Sequence, residues 1–238
     1  MNWVLHFLES EGSLGPWRAR LEAEARATHE RIAACLAPDV EMPPLDVVIE
    51  RLEGQAIPEL GLAGIAPRRR CMVVTLDPAN PRFEASLEAG EFGRILTHEF
   101  HHCLRCHSVG YGTTLAEALV TEGLADQFDR EINGGEGQIW DHALRPEHWP
   151  ALLERAEEAF RSPRYDHRLW FFGVGRGGRG GTVPRWAGYT IGYRLVGAYL
   201  ETTPGARPSR MAGTPAAEVL AKAWPRLVER FGGPASRG

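Results

Sequence analysis

The segment THEFHHCLRCH, residues 97–107, holds four of the nine histidines in the chain, and two chemistries overlap in it. Read from its start it is HExxH, with His98 and His102 four residues apart. On a helix that spacing puts both side chains on one face, with Cβ atoms about 5–6 Å apart. Two imidazoles so placed can reach one metal ion at about 2.0–2.1 Å each. Glu99, rotated by one residue, can stand beside the ion and hold a water without ligating it. Phe100 falls on the opposite side, where a core residue belongs. Read from its end the segment is CxxCH, with Cys103, Cys106 and His107, the spacing at which haem is attached covalently. Haem attachment requires export, and the opening MNWVLHFLESEG has no positive n-region and no small-residue cleavage site. It reads as a strand, and the two cysteines read as small reduced side chains near the end of the histidine helix.

A hydrolytic zinc site takes three protein ligands and keeps a fourth position open for water. Glu122 lies twenty residues after His102 in a second helical stretch, and Asp126 follows it by one turn. Glu117 competes for the third place, but Thr114 three residues earlier gives it a capping-box role. A third histidine six residues after His102 is missing, since that position is Ser108. HExxH, a short connection and a helical E-x-x-x-D resemble the gluzincin clan of zinc metallopeptidases, which includes thermolysin. The resemblance implies one zinc ion per chain held by His98, His102 and Glu122, with Glu99 as general base. It implies that Asp126 accepts the free N–H of a ligand imidazole and fixes its tautomer. It further implies an oxyanion donor on a late helix, where Tyr189 and Tyr193 share a face and Tyr189 is favoured. The substrate would be a peptide or protein, lying beside an edge strand for which CMVVTLD (71–77) is the candidate. The stretches HEFHH, EALVTEGLADQF and PRWAGYTIGY, within about 70–203, are similar also to small bacterial families described as predicted zinc-dependent proteases. A second reading stays open, a non-catalytic protein-binding domain in which the same zinc staples two helices.

These residues need a frame. With 238 residues, 43% of them hydrophobic, the chain can bury a substantial core. Its 27 Lys and Arg against 31 Asp and Glu create no field that favours nucleic acid or an anionic membrane surface. The basic run RRR at 68–70 reads as a solvated loop. No apolar run approaches the roughly 20 residues that cross a bilayer. The expectation is a soluble cytoplasmic protein with neither nucleic acid nor membrane as partner, and with Cys35, Cys71, Cys103 and Cys106 reduced.

Strands are expected over 2–8, 45–52 and 71–77, with IPELGLAGIAPRRR as a loop between the last two. Helices are expected over 16–36, 87–105, from Thr114 to Asn133, and over 149–160, 185–203 and 214–231. FFGVGRGGRGGTVP (171–184) reads as a mobile flap; its GVGRGG fits G-x-G-x-x-G but follows no strand of a βαβ unit. The sum is an α+β protein, a single metallopeptidase domain over 1–238. An α/β lobe over 1–112 carries a small mixed sheet and the HExxH helix. A mainly helical lobe covers 113–231, and 232–238 is a tail.

Overall fold

The sheet expected near the N-terminus is present, with one strand more than the sequence suggested. The computed structural model describes residues 1–36, 40, 42–160, 162, 164–175, 178 and 180–233. The chain is α+β and forms two units, Met1–Ser108 with Glu131–Asn133, and Val109–Arg130 with the chain from Gly134 onward.

In the first unit β1 (Trp3–Leu8), β2 (Leu45–Arg51), β3 (Leu62–Arg68) and β4 (Cys71–Leu76) form one sheet in the order β1-β2-β4-β3. β1 and β2 pair in parallel, as do β2 and β4, while β3 runs antiparallel to β4. Leu45, Val47 and Ile49 of β2 are buried in alternation, the period of a strand with one face on a core. β3 lies in the stretch expected as a loop. Its Leu62, Ala63, Gly64 and Ile65 pair with Leu76, Thr75, Val74 and Val73. Small residues of low strand preference adopt this conformation because β4 supplies the ladder, a tertiary effect that outweighs local propensity. The strand over Cys71–Leu76 is therefore interior, paired on both sides, and the edge strands are β1 and β3, of which β3 packs on the HExxH helix.

Helix α1 (Gly15–Cys35), with Pro16 in its first turn, links β1 to β2. A short α2 (Phe83–Glu88) precedes α3 (Glu91–Ser108). The two are separated at Gly90, whose φ of +80° breaks the single helix expected from Leu87. α3 packs on β3 and β4, and α1 packs on α3. Glu24 of α1 accepts the Gly93 N–H at 2.8 Å. This satisfies one of the backbone donors left open at the start of α3 and fixes where the HExxH helix begins.

The second unit is helical: α4 (Leu115–Asn133, to Arg130 in this unit), α5 (Trp149–Phe160), α6 (His167–Phe172), α7 (Ala187–Thr202) and α8 (Ala216–Phe231). α4 starts with the expected capping box, in which Thr114 and Glu117 each accept from the other's backbone N–H. Leu119, Leu124, Phe171, Ile191, Leu195 and Val219 centre its core. α4 and α7 meet at two glycines. A Cβ on Gly123 would lie 2.1 Å from the Gly192 carbonyl oxygen, and one on Gly192 would lie 2.3 Å from that of Leu119. Helix α6 takes the first two residues of the expected flap, and Arg176, Gly177 and Arg179 lie outside the described residues, as does 234–238 of the expected tail. The glycine-rich run follows a helix, and no nucleotide-binding strand precedes it. Among the described residues no helix is long and apolar enough to cross a membrane.

Candidate metal centre

The i, i+4 spacing on α3 delivers what it predicts. The Nε2 atoms of His98 and His102 stand 3.0 Å apart, their rings at 87° with centroids 4.6 Å apart. Two ligands of a tetrahedral zinc ion at about 2.0–2.1 Å stand roughly 3.3 Å from each other, so the pair is spaced to share one ion. Both rings are buried, and so is Glu99 between them in sequence. Edge strand β3 passes close over Glu99. A Cβ on Gly64 would lie 2.8 Å from Cγ and Oε1 of Glu99 and 2.5 Å from Cγ2 of Ile95. Only glycine lets the strand approach the helix so closely, and the approach confines the Glu99 carboxylate. Phe100 points away into the core and meets the Trp3 ring at 5.7 Å. His101 is buried, whereas His107 is exposed at the helix end.

The CxxCH residues have another use. Cys103 is fully buried, its Sγ 3.8 Å from the carbonyl oxygens of Arg68 and Cys71. Burial pushes its thiol up to about 12, with the Glu99 charge adding to the effect. Such a sulfur is neither accessible nor ionised, which removes it as a haem anchor or reactive thiol. All four cysteines are free.

In the second unit α4 carries Glu122 and Asp126, both buried. The Tyr111 hydroxyl donates to Oε1 of Glu122. Burial, and then the Glu122 charge, push the Tyr111 phenol above its usual range, so it stays a donor. His167, at the start of α6, has its ring centroid 6.1 Å from that of Tyr111 and stacks on Phe171 at 4.4 Å. Its Nδ1 lies 3.1 Å from the Tyr165 hydroxyl. Burial holds His167 below the usual histidine range, against the opposing pull of Glu122. Burial likewise pushes Tyr165 up to about 12.

The three partners around Glu122 escaped the sequence reading. Tyr111 was legible only as a tyrosine between the two turn glycines of VGYGTT. His167 follows Asp166, whose side chain accepts the Leu169 N–H and caps a helix too short to show a period.

The remaining sequence candidates separate. Asp126 accepts the Trp140 indole N–H at 3.0 Å. Tyr189 packs against Phe171 at 5.0 Å and Trp140 at 6.1 Å, and, after burial and Glu122, helps keep the Tyr111 phenol protonated. Tyr193 is turned elsewhere. Its hydroxyl donates to the Glu136 carbonyl at 2.9 Å, and its ring lines a separate cavity of about 420 Å³ with Arg130 and Arg194. Glu117 is committed to the cap, where one carboxylate oxygen accepts from the Thr113 and Thr114 N–H groups at 2.8 and 3.0 Å.

His98, His102 and Glu122 are all buried, and one ligand atom from each lies within 4.8 Å of the other two. Two imidazoles and one carboxylate are a donor set that fits zinc with a position left for water. No second group of this kind, of three or more His, Cys, Asp or Glu, occurs among the described residues.

Comparison with known proteins points the same way. A family model described as "Predicted Zn-dependent protease (DUF2268)" matches residues 22–221. The "Uncharacterized protein YjaZ" of Bacillus subtilis (strain 168) is 30% identical over 126 residues, 49% of this chain and 45% of that protein. The match thus covers less than half of the relative's own length. No solved structure matches the chain. With a buried His/His/Glu cluster and a family match over most of its length, the chain belongs to this family of predicted zinc-dependent proteases.

Proposed function

We propose that the protein is a gluzincin-like zinc peptidase, with one zinc ion per chain held by His98, His102 and Glu122 and with Glu99 as general base. The observation that carries the reading is the meeting of one ligand atom from each of the three residues within 4.8 Å. When bound, zinc brings the pKa of a coordinated water to about 7 and polarises a peptide carbonyl. Glu99 takes the proton of the attacking water and returns it to the leaving amine. Its neighbour β3 supports that role. Beyond Leu62, which Ile57 bridges, no strand of the described residues pairs with the outer edge of β3, so an extended peptide can add to it as a further strand beside Gly64 and Glu99. Asp126 holds a ligand imidazole in its tautomer. Tyr189 is the better of the two tyrosines as oxyanion donor, because the Tyr193 hydroxyl is engaged by the Glu136 carbonyl. The substrate is a peptide or protein, and the four free thiols favour the reducing cytoplasm.

The rival reading, a protein-binding domain stapled by the same zinc, has no use for a buried carboxylate next to the first histidine. Cleavage of a mixed quenched-fluorescent peptide library by the zinc-loaded protein and by Glu99→Gln separates the two. The expected result is a rate lower by about a hundred- to ten-thousand-fold in the variant, with zinc retained. Equal rates, or no cleavage by either protein, would sink the peptidase reading.

A further inference from the structure

Tyr111 is gripped twice by neighbouring residues of α4: Thr121 Oγ1 donates to its carbonyl at 2.9 Å, and its own hydroxyl donates to Glu122 Oε1. The turn that makes this possible needs left-handed backbone on both sides of the tyrosine, with φ of +82° at Gly110 and +98° at Gly112. The loop also lies directly on the first turn of α4, since a Cβ at Gly112 would come within 2.3 Å of the Glu117 Cβ. Backbone and side chain of one loop residue are therefore fixed to the helix that carries Glu122.

A carboxylate with one oxygen held by a phenol offers the other to a cation and cannot swing freely between one-oxygen and two-oxygen binding. The phenol ring is itself held by the core around Leu119 and by the His167 ring. We propose that the Gly110-Tyr111-Gly112 turn is a latch that positions Glu122, so that Tyr111 sets the zinc affinity of the protein without touching zinc or substrate. This inference rests on the zinc reading above.

The test is the zinc dissociation constant, measured by competition with a chromophoric chelator at fixed pH. Wild type is compared with Tyr111→Phe, Thr121→Val, His102→Ala and Tyr199→Phe. Tyr111→Phe keeps the ring and removes only the hydroxyl, and its dissociation constant is expected to rise about ten- to a hundred-fold. Thr121→Val, which cuts the second grip, should raise it in the same direction. Tyr199→Phe removes a phenol–carboxylate bond to Glu218 away from the turn and should leave it unchanged. If wild type binds zinc far better than His102→Ala but Tyr111→Phe and Thr121→Val bind as wild type does, the latch is wrong and the zinc reading stands. If wild type binds no better than His102→Ala, both are overturned.

Discussion

Replacement of Gly123 by alanine tests the packing that carries the third candidate ligand. In an ordinary helix the change is favourable, by roughly 0.5–1 kcal/mol, because glycine loses more backbone freedom on folding. At this position the new methyl would stand 2.1 Å from the Gly192 carbonyl oxygen, whereas non-bonded heavy atoms settle about 3.5 Å apart. α4 and α7 must then separate locally by about 1 Å, and the obstacle is backbone, which has no alternative rotamer. Overpacking costs about 1–3 kcal/mol, and a methyl against unyielding backbone belongs at the upper end, about 2–3, so after the glycine gain the net effect is a loss of about 1–2 kcal/mol. For a chain of this size that lowers Tm by roughly 2–8 °C. The assay is thermal unfolding of the zinc-free protein followed by circular dichroism. The sign decides: a Tm equal to or above that of the wild type would refute the close crossing. Because Glu122 precedes Gly123, the variant is also expected to bind zinc more weakly.

Two further outcomes follow. Gly64→Ala drives a methyl into the Ile95 and Glu99 side chains, which displaces the proposed base by about 1 Å; kcat should fall about a hundred-fold with zinc content unchanged, and kcat within a factor of two of wild type would contradict the proposed role of β3. Burial raises Tyr165 from 10.0 to about 12, so above pH 10 the unfolded chain releases this proton first and stability is lost as pH rises toward 12. Urea unfolding across that range should show a shallower loss for Tyr165→Phe, and parallel curves would count against a buried phenol.

Local features of the sequence were read reliably where the physics is local. The HExxH face, the Thr114–Glu117 cap and the stop at Asn133 depend on residues within one or two turns, and each has its expected place. β3 was missed because Ala63, Gly64, Ala66 and Pro67 have no strand signature of their own. Their conformation comes from β4, and the lack of a side chain at Gly64 is explained by the proximity of Ile95 and Glu99. The same gap hid the true edge of the sheet, since strand order is a long-range property. Tyr111, Tyr165 and His167 could not be assigned to Glu122 from spacing, because a turn and a six-residue helix bring them there.

The measurement that bears most directly on the account is zinc stoichiometry by elemental mass spectrometry, on purified wild type and on His98→Ala, His102→Ala and Glu122→Ala. About one zinc per chain is expected in the wild type, with a loss in each of the three variants. A wild type without zinc, or zinc retained when these side chains are removed, would contradict it.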